Sequence, residues 1–407
     1  MKSAAILFMF VAGLSSGTVA RQTTGWVGSW AASQQEPEPG NALPDRDLTD
    51  ATLRQVVRLS AGGRRVRVLL SNAFGTQPLR IDAAHIAPAL PAAGSKIDSA
   101  RDTALSFDGS GAVTIPAGAS YWSDPVDLAV PALATVAVTL HYPVAPARQT
   151  GHPGSRATSY MLPGNHVSDH ELAGAKPVEH WYQLAGIAVA SDRPAAIVTL
   201  GDSITDGHGA TTNGNDRWPD RLAERLQQAP ASRSIGVLNH GIGGNHLLTD
   251  GLGPNALARF DRDVLAQPGV RYVIVLEGIN DLGMLTRDAP AEPAAHADLV
   301  ARMIGSYRQI VVRAHAAGIR AYGATILPDG TSAYYHPDAL SEADRQAVNA
   351  WIRTPGNFDA VIDFDAVMRD SAIPTRLRKP YDSGGGLHPS PEGYRAMAAA
   401  IPLRLFR

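Results

Sequence analysis

Residues 197–207 read Ile-Val-Thr-Leu-Gly-Asp-Ser-Ile-Thr-Asp-Gly, and this stretch decides the fold of the second half of the chain. The apolar, β-branched run at residues 195–200 predicts a buried strand that ends at Gly201. Ser203 follows almost at once, and residues 216–228 predict a helix. In an open α/β sheet, a serine at such a strand-to-helix turn lies at the carboxyl edge, where ligands bind. The alternative is a loop serine that only caps a helix.

The chain beyond residue 190 alternates between apolar runs, which predict strands, and segments that predict helices. The predicted strands lie at residues 195–200, 235–239, 272–276, 319–326 and 360–364. The predicted helices begin near residues 216, 255, 294 and 341, and the last one spans residues 391–405. Five strands joined by short loops and helices indicate a parallel sheet that is covered on both faces.

The preceding part of the chain has a different character, because Gly and Pro punctuate short apolar runs at spacings typical of a β-sandwich. The runs at residues 52–59 and 66–70, with a Gly-Gly turn between them, resemble a hairpin. We therefore predict a β-sandwich-like accessory domain at residues 21–190 and an α/β domain at residues 191–407. Carbohydrate binding and simple packing against the α/β domain both remain open as the role of the β domain.

Composition limits the possible functions. The chain has 407 residues, a formal net charge of −2 and no cysteine, so it must be stable without disulfides. The sequence contains no block of basic residues of the kind that would indicate a nucleic-acid partner. Residues 1–20 resemble a secretory signal, with Lys2, an apolar stretch and a small-residue site before Arg21. We expect a secreted or periplasmic protein with no integral membrane segment after signal removal; an uncleaved anchor is the alternative, although the stretch is short for a bilayer.

Three further motifs follow predicted strands or precede the last helix, and each supplies a group that acyl transfer needs. Gly244 offers a backbone N–H, Asn280 a side-chain amide and His388 an imidazole base. Singly, these residues have ordinary explanations as a turn, a strand-end cap and a surface histidine. Together with Ser203 they amount to a nucleophile, a base and donors for an oxyanion.

On these motifs the chain resembles the SGNH (GDSL) hydrolase family of serine esterases and lipases. Residues 201–203 match the Gly-Asp-Ser block, residues 244–245 the glycine block and residues 278–281 the Gly-x-Asn-Asp block. The last block, Asp-x-x-His, matches only at His388. The resemblance covers about residues 192–407, and its specificity comes from four motifs in the same order.

The resemblance implies a flavodoxin-like three-layer α/β/α fold with a five-stranded parallel sheet, preceded here by the β-sandwich-like domain. It implies Ser203 as the nucleophile and His388 as the general base. It also implies an oxyanion hole made by the N–H groups of Ser203 and Gly244 and the amide of Asn280. The family uses no metal, and we expect no cofactor.

One position departs from the family pattern. Gly385 stands three residues before His388, where the family has the aspartate that orients the histidine. Asp382 could reach the ring through the glycine run that follows it, which makes Asp382 the candidate third catalytic residue. A backbone carbonyl or another acid, such as Asp363 or Asp365, could hold the ring instead. The third possibility is an enzyme with strongly reduced turnover, because no carboxylate orients the histidine.

The expected activity is hydrolysis of short acyl or acetyl esters, on a small molecule or on a polysaccharide, through an acyl-enzyme. A lipase or lysophospholipase is the alternative among enzymes. A non-catalytic binding protein on a decayed hydrolase scaffold is the alternative outside them, and Gly385 is the feature in its favour. Tyr334 and Tyr335, in the loop after the fourth strand, either line the substrate cleft or pack within their own loop.

Overall fold

The computed structural model describes residues 25–90 and 94–407, so the expected signal segment at residues 1–20 lies outside the described residues. The first half is an antiparallel β region with one short helix, α1 (Asp45–Leu48). Its strands are β1 (Gly25–Ala31), β2 (Ala51–Arg58), β3 (Val66–Ser71), β4 (Leu79–Ile81), β5 (Ala83–Pro88), β6 (Thr103–Ala104), β7 (Val113–Ile115), β8 (Ser120–Trp122), β9 (Thr135–Tyr142), β10 (Gly151–His152), β11 (Ser159–Pro163), β12 (Lys176–Val178), β13 (Trp181–Tyr182) and β14 (Leu184–Ser191).

Two main antiparallel sheets make up this region, with strand orders β1-β14-β3-β8 and β12-β11-β2-β9-β5-β6. The predicted hairpin of β2 and β3 is wrong, because these strands belong to different sheets. The glycine turn between them crosses from one sheet to the other and pairs with the chain near residue 130. The Gly63 N–H donates to the Val130 carbonyl at 2.9 Å, and a Cβ on Gly62 would lie 2.6 Å from the backbone nitrogen of Ala132.

The second half has a five-stranded parallel sheet. Its strands are β15 (Ala195–Gly201), β16 (Ile235–Gly241), β17 (Val270–Leu276), β18 (Arg320–Ala324) and β19 (Ala360–Ile362). Its helices are α2 (Ser203–Asp206), α3 (Trp218–Gln228), α4 (Ala256–Phe260), α5 (Ile279–Thr286), α6 (Pro293–Ala316), α7 (Ala339–Arg353), α8 (Phe364–Met368) and α9 (Pro391–Ala400). The strand order β16-β15-β17-β18-β19 is the flavodoxin-like order, in which the chain reverses direction across the sheet at the first strand.

This topology confirms the predicted fold class. Continuous apolar strands are buried because helices cover both faces: α3 packs with α9, and α6 packs with α7. Two details differ from the predictions. The last helix ends at Ala400, since Pro402 cannot continue it. Helix α5 begins directly after Gly278, so Asn280 lies in the first turn of a helix and not in a strand-end loop.

The two halves are in direct contact along β1 and β16. The Gly28 N–H donates to the Pro268 carbonyl at 2.9 Å, and Ser60 Oγ accepts from the Val237 N–H at 2.8 Å. At Gly236 the backbones approach so closely that a Cβ would lie 1.9 Å from the Gly28 carbonyl oxygen. One continuous hydrophobic core runs through both halves. The domain boundary at residue 190 stays a prediction.

Within the described residues, the helices all fall short of the length or apolarity that crossing a bilayer requires.

Candidate active site

The turn after β15 places Ser203 at the carboxyl edge of the sheet. A Cβ on Gly201 would lie 2.1 Å from Thr205 Oγ1 and 2.7 Å from the Leu276 carbonyl oxygen, so only glycine fits there. The Asp202 carboxylate accepts from the Ile204 N–H at 2.8 Å and caps the short helix α2. As the first residue of α2, Ser203 has a backbone N–H without an intrahelical acceptor.

The hydroxyl of Ser203 lies against the imidazole of His388. Ser203 Oγ and His388 Nε2 are 2.9 Å apart, although 185 residues separate them in the chain. This is the distance at which a hydroxyl donates to the base that would deprotonate it. The loop before α9 thus brings His388 to the turn after β15, which is the pairing that the motifs predicted.

Two more predicted site residues lie at the same edge of the sheet. Gly244 adopts a left-handed conformation with φ of +65°, and no group among the described residues accepts a hydrogen bond from its N–H. Asn280 donates one amide hydrogen to the Asn245 carbonyl at 2.6 Å. Tyr335 O–H donates to Asn280 Oδ1 at 2.5 Å, which fixes the orientation of the amide and leaves its second N–H uncommitted.

Ser203, Gly244, Asn280 and His388 all line one open cleft of about 760 Å³. Its mouth is apolar: the side chains of Leu252, Met284 and Tyr334 border it and are 51%, 41% and 57% exposed. The two tyrosines therefore have different positions. Tyr334 lies on the rim, whereas Tyr335 is buried behind Asn280. Both tyrosines nevertheless line the cleft, which is one of the two interpretations that the sequence left open.

The structure does not bring the candidate acids to His388. Asp382 Oδ1 accepts from the N–H groups of Gly384, Gly385 and Gly386 at 2.9, 3.2 and 3.2 Å, so this carboxylate closes the glycine loop on itself. Asp382 thus supports the loop that carries His388 and does not contact the ring.

The other two proposed acids have partners elsewhere. Asp363 accepts from Thr325 Oγ1 at 2.9 Å and pairs with Arg353. Asp365 is fully buried against Arg345 at 2.8 Å. Both tie the end of β19 to α7, and neither contacts His388. Among the described residues, no group accepts a hydrogen bond from the Nδ1 atom of His388.

The neighbour of His388 on its ring face is a second histidine. The ring centroids of His208 and His388 are 4.0 Å apart, and Arg156 NH2 lies 3.3 Å from His208 Nδ1. Burial, together with His208 and Arg156, lowers the pKa of His388 from 6.5 to about 3. The imidazole is therefore neutral and able to accept a proton, but its protonated form is poorly stabilised.

A buried arginine that the sequence analysis missed connects the loops of the site. Arg259 is almost completely buried and donates to the Gly201 carbonyl at 3.0 Å, to Asn245 Oδ1 at 2.8 Å and to Glu277 Oε1 at 3.1 Å. It also pairs with Asp263 at 3.0 Å. Each of the first three contacts lies beside one of the site motifs. The sequence gives no indication of this role, because a single arginine in a short predicted helix is expected to be exposed to solvent.

The donor set does not indicate a metal centre. Within residues 25–90 and 94–407, no three His, Asp or Glu side chains converge as ligands for a metal ion. The polar groups that converge on the cleft are instead a hydroxyl, an imidazole and amide N–H groups. Such groups suit attack on a carbonyl carbon and stabilisation of an oxyanion.

Fold and site together define a three-layer α/β hydrolase-type protein with a serine–histidine pair at the carboxyl edge of its sheet. Residues 199–396 match the model of the GDSL-like lipase/acylhydrolase family. This part of the chain is a GDSL-like lipase/acylhydrolase domain, as the four motifs predicted. The match covers the region from β15 into α9 and does not include the antiparallel β region.

Several solved structures are similar over about half of the chain. A lipolytic protein of the G-D-S-L family from Desulfitobacterium hafniense is 24% identical, with a TM-score of 0.37, over 50% of this chain and 96% of that one. A GDSL-like lipase from Bacteroides thetaiotaomicron is 20% identical, with a TM-score of 0.37, over 51% and 85%. A catalytic mutant of an acetylxylan esterase from Geobacillus stearothermophilus is 21% identical, with a TM-score of 0.38, over 51% and 92%. No curated protein sequence matches the chain.

Proposed function

We propose that the protein is a serine esterase that hydrolyses carboxylic esters through an acyl-enzyme. The observation that carries the proposal is the 2.9 Å contact between Ser203 Oγ and His388 Nε2 at the base of an open cleft. A serine hydroxyl in contact with a neutral imidazole is the minimal arrangement for nucleophilic attack. The match to a GDSL-like lipase/acylhydrolase family supports the same chemistry.

In the proposed mechanism, Ser203 Oγ attacks the ester carbonyl carbon while its proton passes to His388 Nε2. The Ser203 and Gly244 N–H groups and the free amide hydrogen of Asn280 stabilise the oxyanion. The bond from carbon to the alcohol oxygen breaks, and the alcohol leaves with the proton from Nε2. Water then attacks the acyl-enzyme, gives its proton to Nε2 and releases the acid, and Ser203 recovers its hydrogen.

Short acyl esters, including acetyl groups on a small molecule or a carbohydrate, are the proposed substrates, because Ser203 lines an open cleft that a small ester can enter directly from the solvent. The apolar mouth formed by Leu252, Met284 and Tyr334 favours a second candidate, longer acyl chains, since it offers hydrophobic surface next to the serine. An acyl-chain series of p-nitrophenyl esters separates the two. An esterase that prefers short chains should have its highest kcat/KM with p-nitrophenyl acetate, whereas a lipase should have it with the octanoate or laurate ester.

The test of the serine mechanism combines a fluorophosphonate probe with p-nitrophenyl acetate turnover. We expect covalent labelling at Ser203, located by peptide mass spectrometry, and steady hydrolysis of the ester. The matched control is Ser203→Ala, which should keep the fold, as circular dichroism can check, and should lose both signals. Absence of labelling and of turnover in the folded wild-type protein would instead favour the non-catalytic binding protein.

Export is the second part of the proposal and rests on the sequence of residues 1–20. We propose that the mature chain begins at Arg21 and lies outside the cytoplasmic membrane. N-terminal sequencing of the protein recovered from the culture medium or from an osmotic-shock fraction tests this. A chain that retains Met1 in these fractions, or stays in the cytoplasmic fraction, would contradict it.

A further inference from the structure

One edge of the proposed base is without a partner. The Nε2 atom of His388 faces Ser203, so Nδ1 lies on the opposite edge of the ring, and no described residue accepts its proton. A histidine that acts as a base normally donates this second N–H to an acceptor, which fixes the tautomer and stabilises the imidazolium. Within the part of the chain that the structure describes, the half-buried ring of His388 has no such acceptor.

The space next to this loop is open. A Cβ built on Gly385 would have no atom within 4 Å, and its φ is outside the left-handed region that Gly384 and Gly386 occupy. Gly385 borders the cleft that contains Ser203 and His388, and it also borders a solvent-open depression of about 550 Å³ that contains Lys379. A small solute can therefore reach this position from the solvent.

The charges around this space favour an anion. Arg156 is close enough to lower the pKa of His388, and Lys379 lies on the outer side of Gly385. The opposing charge is that of Asp382, but its carboxylate already accepts three backbone N–H groups, which disperse its charge. An anion beside Nδ1 would compensate the cationic surroundings and the imidazolium that forms during catalysis.

We propose that the space at Gly385 is a binding site for a small monocarboxylate, such as formate or acetate, which accepts the Nδ1 proton of His388 and activates the Ser203–His388 pair. The inference rests on the proposed esterase function. The bound anion stays ionised while the Ser203 proton moves to Nε2 and on to the leaving alcohol, so the anion is an activator and is not consumed. The acetate that is released from an acetyl ester belongs to the same chemical class.

The experiment measures p-nitrophenyl acetate hydrolysis by the full chain in rising concentrations of sodium formate, with sodium chloride keeping the ionic strength constant. We expect a saturable rise in kcat of about tenfold or more, part of the roughly 10⁴ that an orienting carboxylate contributes in a serine protease. Acetate should activate less than formate, and bulky trimethylacetate should not activate.

Three variants make the result specific. Gly385→Asn fills the same space with a neutral group and should remove the response to formate. Gly385→Asp should be faster than wild type without formate and should not respond to it. His388→Ala should show no response, which excludes a general effect of the salt.

The outcomes separate the inference from the function on which it rests. If Gly385→Asp hydrolyses the ester and labels at Ser203 but formate does not activate the wild type, the anion site is refuted and the esterase stands. If Gly385→Asn responds to formate as the wild type does, the site is not at Gly385. If no variant labels or turns over with or without formate, the esterase proposal fails, and the anion site fails with it.

Discussion

Replacement of Gly385 by aspartate should increase the rate of the proposed ester hydrolysis. The substitution is sterically permitted, because the added Cβ meets no atom within 4 Å and the backbone is outside the left-handed region. A carboxylate three residues before His388 can accept the Nδ1 proton that no described residue accepts. The expected gain comes from stabilising the imidazolium that forms when Ser203 gives up its proton.

The magnitude follows from the surroundings of His388. Burial, His208 and Arg156 hold the pKa of His388 at about 3, where an ordinary histidine has 6.5. An opposite charge in contact typically raises such a pKa by about 1–3 units, which corresponds to about 1.4–4 kcal/mol at 1.36 kcal/mol per unit. If the transition state gains that energy in full, kcat increases about 10- to 10³-fold, below the roughly 10⁴-fold effect measured for a protease triad.

The assay is the pH dependence of kcat and kcat/KM for p-nitrophenyl acetate. In the wild type, His388 should stay neutral far into the acid range, because its pKa is about 3. In Gly385→Asp the pKa is raised, so activity should be lost at a higher pH as the base becomes protonated. The acid limb of kcat/KM should move upward by about 1–3 units, since this limb reports the base of the free enzyme.

The control is Gly385→Asn, which stiffens the loop as aspartate does but brings no charge. It should show neither the rate gain nor the shift of the acid limb. Two results would refute the reasoning: a folded Gly385→Asp protein that is no faster than wild type, or an equal gain from asparagine. The second would mean that the flexibility of the loop, and not the absent carboxylate, limits the wild type.

Three further predictions concern the groups around the site. Tyr335→Phe removes the hydrogen bond to Asn280 Oδ1, so we expect kcat to fall about tenfold with little change in KM. Steady-state kinetics on the p-nitrophenyl ester series measure both constants, and an unchanged kcat would show that the Asn280 amide keeps its orientation without the tyrosine hydroxyl. Arg259→Met leaves the buried Glu277 without its arginine and Asp263 with Arg262 alone, and urea unfolding should show that the free energy of unfolding falls by about 3–5 kcal/mol; a fall below about 1 kcal/mol would contradict the buried pairing. Asp382→Ala should lower kcat by loosening the loop of His388 without moving the acid limb of the pH profile, whereas a moved limb would mean that this carboxylate does act on the ring.

The sequence was informative about the sheet because buried parallel strands are continuous apolar runs. Residues 195–200 and 272–276 fall inside β15 and β17, and each predicted helix begins within a few residues of an observed one. It was less informative where the pattern depends on partners distant in the chain. Strands β2 and β3 look like a hairpin locally, yet each one pairs with strands more than 40 residues away.

The same distinction applies to the site. Ser203, Gly244, Asn280 and His388 were predictable because each follows a strand or precedes a helix, where the sheet topology brings loops together. The partners that hold them were not. Arg259 bonds to three site loops through a tertiary arrangement that no local spacing encodes. Asp382 has its role because three glycine N–H groups point toward its carboxylate. The orientation of these N–H groups is set by the backbone angles of the loop, which the residue types alone do not determine.

The antiparallel β region contributes to the electrostatics of the site, which changes what its role can be. Arg156, which lies beside His208, comes from this region and has a left-handed backbone with φ of +48°, a conformation that costs free energy for an arginine. His152, the last residue of β10 in the same region, has Nδ1 2.8 Å from the Ser33 carbonyl oxygen and Nε2 2.8 Å from Oδ1 of Asp206, which lies in the helix that begins at Ser203.

The contact between His152 and Asp206 is buried, and Asp206 lies in the helix that begins at Ser203. It therefore ties the β region to the turn that carries Ser203. Attachment to a polymer is therefore insufficient as an account of the β region, since the charges that surround His388 and the support of the Ser203 helix come partly from it.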